Sequence, residues 1–564
     1  MPRCYCHPAP HRPADRGQRH LPGFFWGLEP CNRSTEASKT MLIEIRMDKT
    51  SLRRWQLGLV ERLSRNPLMR VVVSWGNAIE PLPSCIECLF ALERLINGLP
   101  DTGAASYVTE ACFSSYAVAV FDEPDLVLDL CGPAEQGSAP TWFVIFDGSF
   151  GDGAVLGALL AGRSPVIDVI DGQSGLSIAS ARPGTERHGI ILAAFEDYLA
   201  RATTLIVAAM SGAAAPMQHE LTAAAGVQCA AVARFAMTSL VRLTRHRLYT
   251  LCCYAPHWRV GWRFVDGPDV IDLLVHPQQG WNSLRDDGLH SYADPFPVVV
   301  GDRTFLFVED FDHRRGRGAI SVVEFCDTGP LGSPRIVLAA NAHLSYPFVF
   351  EHAGKMWMVP ECVAQRTISL YRAARFPDAW ELEAILVADV EASDPTLFQD
   401  ADRWWMMATV RDDGGSFSDA LYLWSAVSLF GPWMPHRKNP VLIDIAAARP
   451  AGRVVRRGNR RIRPVQDCRD RYGSALALAE IRRLDDDAFD QTILATLRSG
   501  DLWPGRRLHT LNRAGRLECI DGSAIATKAK SKIKQWKFRV PADAGQANAP
   551  KTGTSAGDSE PAQF

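Results

Sequence analysis

Several signals that would assign this chain to a class at once are missing from it. No uninterrupted apolar run is long enough to span a bilayer, and no basic stretch followed by an apolar one opens it at Met1. A soluble, cytoplasmic protein without a membrane span is expected. The charge is balanced as well: the formal net charge is -2 over 564 residues, so nothing electrostatic points to nucleic acid or anionic lipid as the main partner. The 14 cysteines are scattered, unlike those of a small secreted scaffold. Cys85 and Cys88 form one C-x-x-C inside "CIECLFALERLI", where helical spacing makes them small core residues. Only Cys252 and Cys253 could complete a four-thiolate site, and adjacent residues chelate one ion poorly. No metal and no cofactor are expected.

What is present is an ordinary globular composition, with hydrophobic residues at 47% and charged residues at 22%. The length exceeds what one core serves, so at least two domains are expected. Residues 1–40 are rich in Pro, Arg, His and Cys without periodicity, and "MLIEIRMDKTSLRRWQLGLVERL" follows as an opening strand and helix. Residues 1–40 are therefore expected to be a disordered or mispredicted leader, with Met41 as the true start. From 41 to 245, the runs "RVVVSW", "YAVAVF", "WFVIF" and "SPVIDVI" alternate with helical stretches at 51–65, 85–97 and 219–243, the pattern of an α/β layer domain. The Gly-rich "DGSFGDG" at 147–153 has no following Lys-Ser or Lys-Thr and no G-x-G-x-x-G spacing, so it reads as a tight loop. Residues 526–564 lose all apolar pattern and read as a disordered tail.

Residues 246–525 repeat one layout. "ADPFPVVVGDRTFLFVED" begins at Ala293, "SYPFVFEHAGKMWMVPE" at Ser345, "SDPTLFQDADRWWMMATV" at Ser393 and "ARPAGRVVRRGNRRIRPVQD" at Ala448. Each is a β-hairpin pattern: a polar residue, Pro, a first run, a turn and a second run. The starts lie 48 to 55 residues apart, near the ~50-residue period of the longer propeller repeats. The second runs "TFLFV", "MWMV" and "WWMMA" are apolar at nearly every position, so both faces must be covered, as inner strands packed between propeller blades are. A β-sandwich stays the alternative. Within a hairpin, the first residue of strand one and the last of strand two lie at the same end. Asp294 is thus expected near Glu309 and Asp310, Tyr346 near Glu361, and Arg449 near Gln466 and Asp467, all facing one acid-rich mouth.

The motifs "ADPF", "FVED", "HLSYPFVF", "SDPT", "WWMMA", "ARPAGR" and "RPVQDC" resemble the five-bladed propeller module at the N-terminus of plant glucosamine inositolphosphorylceramide transferases and in bacterial proteins. That resemblance covers roughly 250–522 and implies an all-β five-bladed β-propeller related to the arabinanase- and invertase-type glycoside hydrolases. It further implies Asp294 as base or nucleophile, Asp394 as the carboxylate that tunes proton affinity and Glu361 as acid. The match departs from the hydrolases in one respect: where they present a later Glu, this chain has "ARPAGR". Residues 41–245 resemble the formyltransferase-like domain attached to this propeller in some bacterial proteins. The Asn, His and Asp set of formyl transfer is not recognisable, so fold without chemistry is implied there.

Paired carboxylates suit glycosidic chemistry, because crowding separates their proton affinities into an acid and a base. The same Asp-Pro pairs equally serve as strand-end turns. Arg449, Arg453 and Arg463 would suit a glycan or glycoconjugate bearing phosphate or carboxylate, or would pair with Asp310 and Asp467. His343, just before "LSYPF", is a pocket candidate or a hydrogen-bonded structural histidine. The expected activity is glycan binding with cleavage or transfer of a sugar; the alternatives are a non-catalytic recognition or scaffold module, and a formyl or acyl transferase.

Overall fold

The computed structural model describes residues 40–117, 122–132, 138–219, 226–500, 502–503 and 505–528. The expected leader, the tail beyond 528 and most of "YAVAVF" lie outside the described residues. In the first domain, β1 (Met41–Met47), α1 (Arg54–Ser64), β2 (Met69–Trp75), α2 (Ser84–Asn97), β3 (Leu126–Asp129), β4 (Thr141–Phe146), α3 (Gly151–Leu160), β5 (Ile167–Asp171), β6 (Ser177–Ala181) and α4 (Ile191–Met210) follow in order. The sheet order is β2-β1-β3-β4-β5-β6, parallel from β2 through β4 and antiparallel beyond. Helix α4 is buried along nearly its whole length. It packs on α1 and α3, and its Leu199, Ala202, Leu205 and Ile206 complete the core.

"DGSFGDG" is the tight turn from β4 into α3. Asp147 stands at φ 47°, and its carboxylate serves the turn itself, accepting from Arg163 at 2.6 Å and from the Val166 N–H at 2.8 Å. A last helix, α5 (Cys229–Cys252), runs past the expected boundary at 245. The C-x-x-C is not a pair of core residues: Cys88 is exposed, and Cys85 is joined by a disulfide to Cys229 at the start of α5. The helical spacing was sound, but it could not show a partner 144 residues away.

The rest is an all-β, five-bladed β-propeller. Blade I begins with His290–Val300 and Arg303–Asp312, blade II with Ser345–His352 and Lys355–Glu361, and blade III with Ala392–Asp400 and Arg403–Val410. Blade IV is Val455–Arg457, Arg460–Asp467, Ala475–Leu484 and Phe489–Arg498. Blade V combines Leu511–Ala514 and Leu517–Ser523 with the upstream strands Trp258–Phe264 and Asn282–Ser283, which closes the ring. The expected double coverage of the second strands is present: Phe305, Leu306, Phe307 and Val308 are all buried, as are Trp357, Trp404 and Trp405.

The prolines do not stand at the first residue of a strand. In blades I to III they lie inside the inner strand at a β-bulge, where the register slips between Ala293 and Phe296, Ser345 and Phe348, and Ser393 and Thr396. A bulge leaves one residue without a ladder bond, so Pro costs nothing there. The residue before each proline takes positive φ: 49° at Asp294, 43° at Tyr346 and 54° at Asp394. This left-handed step swings the backbone N–H away from the ladder, and the site is built on those three N–H groups.

The two domains share a polar interface. Arg201 of α4 donates to Asp419 of blade III at 2.8 Å, with both side chains fully buried, and to the Ser416 carbonyl at 2.7 Å. Glu186, in the β6–α4 connection, accepts from Ser416 Oγ at 2.6 Å, the Phe417 N–H at 3.0 Å and Ser418 Oγ at 3.1 Å.

Candidate functional site

Carboxylates meet the freed N–H groups. Asp521 of blade V accepts the Asp294 N–H at 2.7 Å, Asp294 accepts the Tyr346 N–H at 3.1 Å, and Glu361 accepts the Asp394 N–H at 2.8 Å. Each acid thus holds the bulge of the next blade. The sequence departs from this pattern in blades IV and V, where Arg449 and Thr510 stand in place of the bulge residue. There the bonding runs in reverse: Arg449 Nε donates to Asp394 Oδ2 at 2.6 Å, and Thr510 Oγ1 donates to Asp294 Oδ1 at 2.9 Å. Gln466 Nε2 adds a bond to Asp394 Oδ2 at 2.8 Å, and Arg449 Nη2 lies 3.8 Å from Glu361. The Tyr346 hydroxyl bonds Thr396 Oγ1 at 2.8 Å and accepts the Gly452 N–H at 2.8 Å.

This ring is dry. Side-chain exposure is 6% at Asp294, 5% at Glu361 and 3% at Asp394. Burial therefore dominates the proton affinities. It pushes Glu361 up to about 8, reinforced by the neighbouring Asp394 charge and opposed by Arg449. Asp294 is pushed up to about 7, again first by burial, with His509 opposing and Asp521, Glu309 and Asp394 adding to the rise. His509 moves the other way from a buried imidazole: burial lowers its affinity, but Asp521, Asp294 and Asp394 outweigh this and raise it to about 9. Its Nδ1 lies 2.6 Å from Asp521 Oδ1 and its ring stacks on Trp258 at 4.1 Å between centroids. Burial thus favours the protonated carboxyl at Glu361 and Asp294, and the surrounding carboxylates favour the protonated ring at His509.

The partly exposed neighbours are His343, Glu309 and Tyr472. His343 Nε2 lies 3.2 Å from Glu309 Oε1, and its Nδ1 accepts the Gly318 N–H at 2.8 Å. Its proton affinity is raised, with burial outweighed chiefly by Glu309. Tyr472 covers the Arg449 guanidinium at 4.8 Å from its ring centroid. Its hydroxyl affinity is driven well up by burial, with Asp394, Asp294 and Glu361 in the same field.

Of the residues expected at the mouth, the structure brings together Asp294, Glu361, Asp394, Tyr346 and Arg449, with Glu309 and His343 beside them. Asp310, Arg463 and Asp467 lie elsewhere. Strand alternation turns Asp310 away from Glu309, and it binds His290 Nδ1 at 2.6 Å and Ser321 Oγ at 2.7 Å. Arg463 is buried in blade IV, donating to the carbonyls of Ala447 at 2.6 Å and Ala448 at 3.2 Å. Asp467 pairs with Arg469 at 2.7 Å. Arg453 is packed between Phe296 and Phe348, and burial lowers its affinity to about 10. Asp521, His509 and Thr510 were missed by sequence reasoning, because blade V carries no X-Pro signal, and Tyr472 was missed because it lies in the blade IV connection between Arg460–Asp467 and Ala475–Leu484, beyond the hairpin pattern. Among the described residues, Asp294, His509 and Asp521 are the set whose ligand atoms converge, within 4.8 Å, as a metal would need, but the His509–Asp521 hydrogen bond already occupies that space.

Residues 281–523 match the model of the family described as glucosamine inositolphosphorylceramide transferase 1, N-terminal. The propeller is similar to that module. Over 250 residues it is 34% identical to glucosamine inositolphosphorylceramide transferase 1 of Oryza sativa subsp. japonica, a stretch covering 41% of this chain and 33% of the rice protein. With the protein of the same name from Arabidopsis thaliana it shares 30% identity over 261 residues, 43% of this chain and 34% of that one. The chain spans about a third of the length of these relatives. Among solved structures, a GH43 protein of Bacillus licheniformis is similar at 15% identity and TM-score 0.29, covering 39% of this chain and 50% of its own. A GH43_1 enzyme of Xanthomonas citri complexed with xylose is similar at 12% and 0.28, covering 40% and 80%. Likeness at that level carries no residue correspondence.

Proposed function

We propose that the propeller binds a glycan or glycoconjugate at the carboxyl-lined end of its axis and takes part in transferring or cleaving a sugar there. The observation that carries this reading is the convergence of three carboxyl groups and one guanidinium in a single buried ring: Glu361 accepts the Asp394 N–H at 2.8 Å, and Arg449 lies 2.6 Å from Asp394 and 3.8 Å from Glu361, while burial raises the proton affinity of both Glu361 and Asp294. Glu361 is the proton donor, Asp394 the neighbour that keeps it protonated, and Asp294 the base. Arg449 and His343 would meet an anionic group on the ligand. The name of the rice and Arabidopsis relatives, which speaks of a glucosamine and an inositol phosphate lipid, supports a substrate of that chemical kind. The test measures turnover and glycan affinity of Asp294→Asn and Glu361→Gln; loss of turnover with binding retained is expected, and unchanged turnover in both would reject the assignment.

A second reading rests on its own observation. Every ring carboxyl is already engaged by the adjoining blade, so the acids also serve as staples of a recognition module without catalysis. Binding that persists with no turnover in the parent protein would favour it. The α/β domain has a role we propose on geometry: Glu186 holds Ser418, whose Oγ accepts from Arg449 Nη1 at 3.2 Å, so the first domain steadies the ring's one arginine from behind. The kinship of this domain with formyltransferase-like domains is a proposal of fold, supported by its parallel β2-β1-β3-β4 order.

A further inference from the structure

Helix α5 has two apolar faces, and the core uses only one. Its inner side carries Val232 and Phe235, both buried, and its first residue is fixed to α2 by the Cys85–Cys229 disulfide. The opposite side presents Met237, Leu240, Val241, Thr244, Leu248 and Leu251. At about 100° per residue these six fall within roughly 100° of arc, a stripe about 20 Å long. The five apolar members are 58–72% exposed, far more than single surface hydrophobes need explaining for. Arg234 and Arg245 border the stripe on one side and Arg247 on the other, with Arg242 further round. No Asp or Glu occurs between Cys229 and Cys252. The near-neutral charge of the whole chain conceals this local excess.

We infer that α5 is an interfacial helix that seats the protein on an anionic lipid surface, with the stripe at headgroup depth and the arginines against lipid phosphates. Charge decides the occupant. A second copy of α5 would bring four arginines against four with no acid between them, a like-charge contact that an anionic surface reverses into attraction. The arginine stems are long enough to lie along the stripe while their heads reach the headgroups. No helix among the described residues is long and apolar enough to cross a membrane, in keeping with a helix lying in the interface. This inference stands apart from the reading of the ring.

The test floats the full chain with vesicles of phosphatidylcholine alone or mixed with phosphatidylserine. Partition at least about tenfold stronger onto the mixed vesicles, and weakened by salt, is expected. Leu240→Ser with Leu248→Ser, and separately Arg245→Glu with Arg247→Glu, should each lower that partition about tenfold while leaving the thermal transition in place. Equal partition onto both vesicles, no partition, or partition unmoved by either pair overturns the inference. So does a concentration-dependent dimer in sedimentation that Leu248→Ser disperses, which would assign the stripe to a second copy.

Discussion

Blades I to III and blades IV and V share a hairpin outline yet solve the centre of the ring differently. In the first three, a left-handed residue before proline exposes its N–H, and in two of them that residue is itself an acid. In the last two, Arg449 and Thr510 occupy the corresponding places and send side-chain donors back to Asp394 and Asp294. The repeat makes the ring, and of its two exceptions Arg449 supplies a compensating charge and Thr510 a hydrogen bond. Five identical Asp-Pro bulges would crowd like charges into a buried space, where burial and mutual repulsion disfavour their ionisation.

Removing the cation is the sharpest way to break that contrast. Arg449→Met should cost about 3–5 kcal/mol, because Asp394 and Glu361 would remain buried without it; chemical denaturation measures this, and a loss below about 1 kcal/mol would mean the acids simply protonate. Next comes pH. Glu361, Asp294 and His509 all hold protons more tightly folded than unfolded, so their stabilisation is complete at acid pH and is lost as pH rises through about 7, 8 and 9. The melting temperature should fall from about pH 4 to about pH 9, and Glu361→Gln should flatten that fall between about pH 4.5 and about pH 8. Thr510→Val removes one donor from Asp294 and should cost about 1 kcal/mol, equal to a single neutral hydrogen bond. The smallest effect is expected from Tyr472→Phe, whose hydroxyl has no hydrogen-bond partner among the described residues: stability should hold within about 0.5 kcal/mol while glycan affinity, by titration calorimetry, declines.

How far these features could be read in the chain depended on how local their signals are. Asp294 and Asp394 were visible because Asp-Pro before an apolar run is a short-range pattern, and the doubly buried second strands were visible because continuous apolar runs reveal covered faces. Blade V was not visible. "HTLNRAGRLECIDGS" has no proline, and its third strand, Trp258–Phe264, lies some 250 residues upstream. Asp521 and His509 therefore had no motif to announce them. Asp310 and Asp467 were placed at the right end of their strands, but hairpin geometry fixes only the end: strand alternation turns Asp310 away from Glu309, and Asp467 away from Gln466, which reaches Asp394. The Cys85–Cys229 bond and the outward stripe of α5 depend on tertiary placement that periodicity alone does not supply.

The pairing of Trp258–Phe264 with Leu517–Ser523 also sets a timetable for biosynthesis. The upstream strand leaves the ribosome long before its mate exists, and its hydrogen-bonding edge stays open through the making of four blades. Only when the last hairpin is translated can the circle shut, so any nascent fragment that stops short of Ser523 is an unsealed arc that chaperones would have to shield.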